Sequence, residues 1–268
     1  IPAAAAGGRW KPARLGAMGL LALSTAALLA GFIVRWILSG REWYLPPIMN
    51  QFEGVLGSAL LASLVALGLE WRTRRGFYGL AASFYAAVSL LAGFLFPGAM
   101  GAGISAPMGI LASPVMAVHV GVIIIGHAFA GMAAVISSAY LLAAVRGLGD
   151  QPSAGADLAA PAGGSALSII DRCNLVVVQL ATWTIALGTI LGAWWADFAW
   201  NRWWGWDPKE TWALLTALIF IVVVHVRFVT RPRHRGLVTA AGALLGCAFM
   251  LFNWLVVNFL LPGLHSYA

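Results

Sequence analysis

Charge is what this chain has least of: Asp, Glu, Lys and Arg together make up 9% of its 268 residues, where a soluble domain carries about 25%. That shortage excludes a water-soluble globular protein. Strands of alternating polarity, the mark of a membrane barrel, are missing too. Cysteine is scarce, with only Cys173 and Cys247, far apart and in or beside apolar segments. No C-x-x-C and no C-x-x-C-H occurs, so the chain carries no thiol redox motif and no covalent haem attachment site. Two small buried hydrophobes are the simplest reading of the pair. No repeat at solenoid or transporter-half spacing stands out.

What is present is apolar. Hydrophobic residues reach 61%, and the mean hydropathy is +0.88. Apolar runs of about 20 residues recur, the length a helix needs to cross a hydrocarbon core. The spacing predicts spans over 15–39, 51–71, 77–96, 115–142, 167–194, 210–229 and 237–260. The expected fold is therefore all-α, a polytopic bundle of about seven transmembrane helices. The opening IPAAAAGGRWKPAR precedes a run that is long for a signal peptide, so the first helix is expected to be retained. Residues 146–165 (RGLGDQPSAGADLAAPAGGS) read as a polar linker.

A net charge of +7 would suggest nucleic acid in a soluble protein. Here the basic residues collect in loops on one side of a seven-helix arrangement: 12 of the 16 Lys and Arg fall there, and Arg35, Arg41, Arg202 and Lys209 fall on or toward the other. The positive-inside bias then predicts a cytoplasmic N-terminus and an outer C-terminus. No nucleic-acid partner is expected.

On the predicted outer side lies WADFAWNRWWGWDPKETWAL, residues 195–214, with six tryptophans in twenty positions around Asp207, Lys209 and Glu210. An interfacial aromatic belt spreads its rings over many helix ends, and it does not account for this concentration. Two outer histidines flank the stretch, His119 in SPVMAVHVGVIIIGHAF and His265 in LLPGLHSYA. Imidazole ligates iron, and a haem is a flat apolar disc edged with carboxylates. His119 and His265 are candidate axial ligands from opposite faces. Trp200, Trp203, Trp204, Trp206 and Trp212 are candidates to cover the ring, with Arg202 and Lys209 to pair with its propionates. His127 and His225 fall within the membrane, where polar groups are costly and usually functional. His234, in the RPRHR loop, reads as a solvated basic residue.

The tryptophan-rich stretch resembles the "WWD" signature of the haem-handling proteins of cytochrome c maturation, a superfamily that includes CcsA (ResC), CcmC and CcmF. VNFLLPGLHSYA is similar to the end of CcsA-type proteins, HVGVIIIGHAFAGMAAVISSAYLL to their helix that starts with an outer histidine, and LPPIMNQFEGVL to their first outer loop. The likeness reaches from about residue 45 to the end, which implies two parts: 1–44, a tail and first membrane helix, and 45–268, a CcsA-like domain with its tryptophan-rich outer loop over 195–212.

The resemblance implies haem delivery for covalent attachment to apocytochrome c. It makes His119 and His265 ligands of a non-covalent haem b, the 195–212 loop with Asp207 its cradle, and His225 a second, membrane-embedded ligand. In the implied reaction the thiols of a C-x-x-C-H motif in a separate apocytochrome add to the haem vinyl groups, so the chain is expected to be the haem-handling component of a holocytochrome c synthase in the cell membrane. A CcsB-like membrane protein is the implied partner. No general base is evident, and no catalytic residue is assigned. Rival readings are a CcmC-like haem loader, a haem-bearing structural subunit of a larger membrane complex, and a solute transporter without haem. Departures from the pattern are His127, Asp197 in place of a more usual asparagine, and the end of the chain just after His265.

Overall fold

The computed structural model describes residues 10–104, 109–147 and 166–264. Seven of its helices are long and apolar enough to cross a membrane, as composition and run length predicted. They are α1 (Trp10–Ser39), α2 (Gln51–Thr73), α3 (Phe77–Leu95), α4 (Pro114–Val145), α5 (Ala166–Trp200), α6 (Pro208–Val229) and α7 (Arg235–Leu251), the last being part of a span that runs over Pro232–Leu260. A π-helical segment, Phe252–Val257, and a last turn, Asn258–Leu260, continue α7. Among the described residues there is no strand.

Local chemistry sets the helix starts at the tryptophan-rich end. Asn50 caps α2, its side chain accepting from the Glu53 amide at 2.8 Å. Ser113 caps α4 by accepting from the Met116 amide at 3.2 Å, with Pro114 at the first helical position, where a missing N–H costs nothing. Asp207 and Glu210 form a capping box at the head of α6, with Pro208 at its first helical position. The structure shortens the expected loop. Helix α5 runs through Trp195 to Trp200 and α6 already holds Trp212, so the irregular backbone spans only Asn201–Asp207.

Helix α4 is the spine, packed most extensively on α5 and also on α7, α2 and α3. Small residues bring α4 and α5 together. A Cβ on Gly126 would lie 2.7 Å from Cγ1 of Ile185, and one on Gly188 would lie 2.5 Å from Cδ1 of Ile123. Helix α1 packs mainly on α2 and leaves Leu20, Leu23 and Ile37 exposed.

Each end of the bundle carries a buried ionic cluster. At the end opposite the tryptophans, Arg227 on α6 makes a two-pronged pair with Asp171 on α5, at 2.8 and 2.9 Å, and donates to Thr239 on α7 at 2.5 Å. At the tryptophan-rich end Glu53, fully buried, accepts from Arg35 at 3.1 Å and from Arg41 at 2.8 and 2.9 Å. Arg35 also donates to the carbonyls of Ala102 and Gly103. That tie fastens α1, α2 and the loop after α3 around a cavity.

Candidate functional site

Two adjoining cavities open at this end. The larger, about 470 Å³, lies between the head of α2, the 98–103 loop, α4 and the π segment, and its wall includes His119, His127, Trp195, Lys209 and Trp254. The smaller, about 100 Å³, sits among α4, α5, α6 and α7 and shares those five residues. Ligand pockets span roughly 300–1,000 Å³, so the larger one is of cofactor size.

His119 is held in one orientation. Its Nδ1 lies 2.8 Å from the carbonyl of Gly188 on α5; a carbonyl only accepts, so Nδ1 carries the proton and Nε2 the lone pair. A second-shell carbonyl of this kind commonly orients a metal-ligating histidine. Gly192 makes room for the ring, since a Cβ there would lie 2.7 Å from Cε1 of His119. Eight residues further along α4, about 12 Å at 1.5 Å per residue, His127 enters the same wall. Its ring is 4.6 Å from that of Trp254, tilted by 40°.

Lys209 reaches both cavities. Its Nζ donates to the neutral amide oxygen of Asn258 at 2.5 Å. Asn258 in turn donates to Gln51 at 3.0 Å and to the Trp254 carbonyl at 2.8 Å. A π turn frees main-chain groups from the regular ladder, and Gln51 also donates to the Trp254 carbonyl, at 3.3 Å. The arrangement presents a cation and amides to a mainly apolar cavity that holds an oriented imidazole. It suits a flat apolar disc with acidic edges. Among the described residues no group of three or more His, Cys, Asp or Glu side chains could hold a bare metal ion.

Asp207 works on the chain rather than on the cavities. One carboxylate oxygen accepts from the Lys209 amide at 3.1 Å, and the other accepts from the amide of Leu264 at 2.7 Å. It thereby fastens the C-terminal segment to the tryptophan loop one residue before His265, which lies outside the described residues. Two loop residues take the left-handed backbone: Asn201, with φ of 54°, is of a type that tolerates it, whereas Trp206, with φ of 57°, is a bulky residue that seldom adopts it.

Of the remaining predicted site residues, Trp204 lines the smaller cavity. Trp203 and Trp206 are exposed, with Trp206 edge-on to Trp204 at 5.9 Å. Trp200 packs on Trp195 at 4.9 Å, and Trp212 packs on Phe252 at 4.1 Å. Arg202 is exposed and lines neither cavity. His225 is exposed on α6, its Nδ1 donating to the Ile221 carbonyl at 2.7 Å, and it lines neither cavity. It therefore lies apart from His127, the other histidine within the membrane, which lines both cavities. Sequence reasoning passed over Asn253, Trp254, Asn258 and Gln51; the polar residues punctuating FNWLVVN were the available signal.

Residues 49–265 match the family described as Cytochrome C assembly protein. The chain belongs to that family. It is 30% identical over 245 residues to the protein NrfI of Wolinella succinogenes, covering 89% of this chain and 24% of NrfI. It is 29% identical over 270 residues to the cytochrome c biogenesis protein CcsA of Prochlorococcus marinus, covering 92% of this chain and 82% of that one. A CcsA of Synechococcus is 42% identical over 103 residues, 38% of this chain and 29% of its own length. The chain thus spans about a quarter of NrfI and most of the Prochlorococcus CcsA. This cytochrome c assembly protein is a multi-pass membrane protein of the CcsA type.

Proposed function

We propose that the larger cavity holds a non-covalent haem b at the outer face of the cell membrane, ready for attachment to an apocytochrome c. The observation that carries this reading is His119, oriented by Gly188 on the wall of a cofactor-sized cavity that Lys209 also reaches. His119 would be one axial ligand. His265 would be the other; the residue before it, Leu264, donates its amide to Asp207 of the tryptophan loop. Lys209 would pair with a propionate.

Bound haem supplies the iron and the two vinyl groups to which the apocytochrome thiols add. The chain's own work is positional. The Gly188 carbonyl holds the imidazole, apolar walls from α4 keep water away, and the Asp207 cap ties the tail to the loop. Trp203 and Trp206, exposed on the loop, offer a face to the incoming polypeptide. Residues 45–268 form the haem-handling domain, with 1–44 as its attached helix and the N-terminus in the cytoplasm. His225 faces outward beside exposed Val222 and Phe228, where a CcsB-like helix would complete a second haem site.

The test is an absorption spectrum of the purified protein, with His119→Ala beside it. The proposal expects a low-spin b-type spectrum that turns high-spin in the variant, and an unchanged spectrum would overturn the assignment. Co-expression with an apocytochrome bearing C-x-x-C-H separates attachment from a structural haem subunit, since only the former yields covalent product.

A further inference from the structure

The smaller cavity is lined by four side chains that each have a buried polar atom without a hydrogen-bond partner: Nδ1 of His127, Nε1 of Trp204, Oε1 of Glu210 and Oδ1 of Asn253. They come from α4, the tryptophan loop, α6 and the π segment. The second carboxylate oxygen of Glu210 already accepts from the amides of Gly205 and Asp207, at 2.8 and 3.2 Å. Asn253 is 9% exposed. A buried polar group left unpaired costs about 1–3 kcal/mol, so four around one small space point to a guest.

Their chemistry defines it. Trp204 only donates, the Glu210 and Asn253 oxygens only accept, and the imidazole nitrogen does either according to its tautomer. An anion would face two acceptor oxygens, and a cation would face the indole N–H and Lys209. The guest must be neutral and both donate and accept. At about 30 Å³ per molecule, 100 Å³ takes about three waters.

We propose that the smaller cavity is a hydration site, holding a cluster of about three ordered waters that bridges His127 to Glu210 and the tryptophan loop. His127, about 13 residues into its helix, is thereby joined by hydrogen bonds to the loop that caps α6, and the wall between the two cavities is held from behind by water. The inference stands on these four groups and does not require haem in the larger cavity.

Radiolytic footprinting of the intact protein in ¹⁸O-water tests it directly. Met250 lines this cavity and is 1% exposed, so label on Met250 and Trp204 at a rate comparable to exposed Trp206 supports bound water. Label confined to Trp206 overturns it. Asn253→Leu and His127→Leu provide a second reading. Shared waters predict that each lowers the melting temperature, by about 2–4 °C, and that the double variant loses less than the sum. A rise in either single variant, the behaviour of a dry cavity relieved of a polar group, would sink the proposal. Should a variant fail to fold, the footprint of the natural protein decides alone.

Discussion

The Arg227–Asp171 cluster and the tryptophan-rich end solve the same problem in opposite ways. Both place polar groups inside a membrane bundle, where polar burial without partners is expensive. Around Arg227 the groups are matched: two guanidinium nitrogens meet two carboxylate oxygens, and Thr239 takes a further bond while itself donating to the Arg235 carbonyl. At the other end an imidazole, an indole, an amide and a carboxylate keep atoms unmatched, and all four line one cavity. A closed network is a brace, whereas an open one of this kind is a receptor. The two ends therefore differ in what substitution should cost most: stability at the Arg227 brace, and haem binding at His119 and Lys209, with only a few degrees of melting temperature at His127 or Asn253.

Breaking the brace should have the largest effect. Arg227→Leu leaves Asp171 buried and uncompensated, which costs about 3–5 kcal/mol and is read as a fall in melting temperature in detergent; a loss below about 1 kcal/mol would erase the contrast. At the receptor end His119→Ala should weaken haem retention about 100-fold and leave the melting temperature of the haem-free protein nearly unchanged. Lys209→Met keeps the apolar stem and removes the charge. Loss of one charge-assisted bond weakens haem binding about tenfold, measured by titration of the haem-free protein. Arg202→Met, exposed and outside both cavities, should change that affinity by less than about threefold. Equal effects at 202 and 209 would mean that exposure does not separate the two cations.

Much of this contrast was legible in the sequence. Length and hydropathy yield all seven spans because the bilayer imposes one length on every crossing, and His119 emerged because it opens an apolar helix beside the tryptophan stretch. The extent of α5 was not legible. WADFAW is as compatible with a helix end as with a loop, and only the structure shows the backbone breaking at Asn201. Nor was azimuth: α4 is apolar around its whole circumference, so periodicity cannot show that His119 and His127 line the same cavities while His225 faces outward. The role of Lys209 hangs on Asn258, 49 residues later, whose bearing depends on a turn that departs from α geometry.

That departure, over Phe252–Val257, amounts to one residue accommodated without breaking the helix. Helical residues are set about 100° apart, and the wide turn absorbs its extra residue without rotating the helix beyond it, whereas a residue added just after Val257, where no such turn takes it up, would swing everything downstream by that angle. Asn258 would leave Lys209 and Gln51, and Leu264 would leave Asp207. The C-terminal segment is in this sense keyed: its sequence can drift, but its length counted from Val257 cannot change by one without unlocking the tail from the loop.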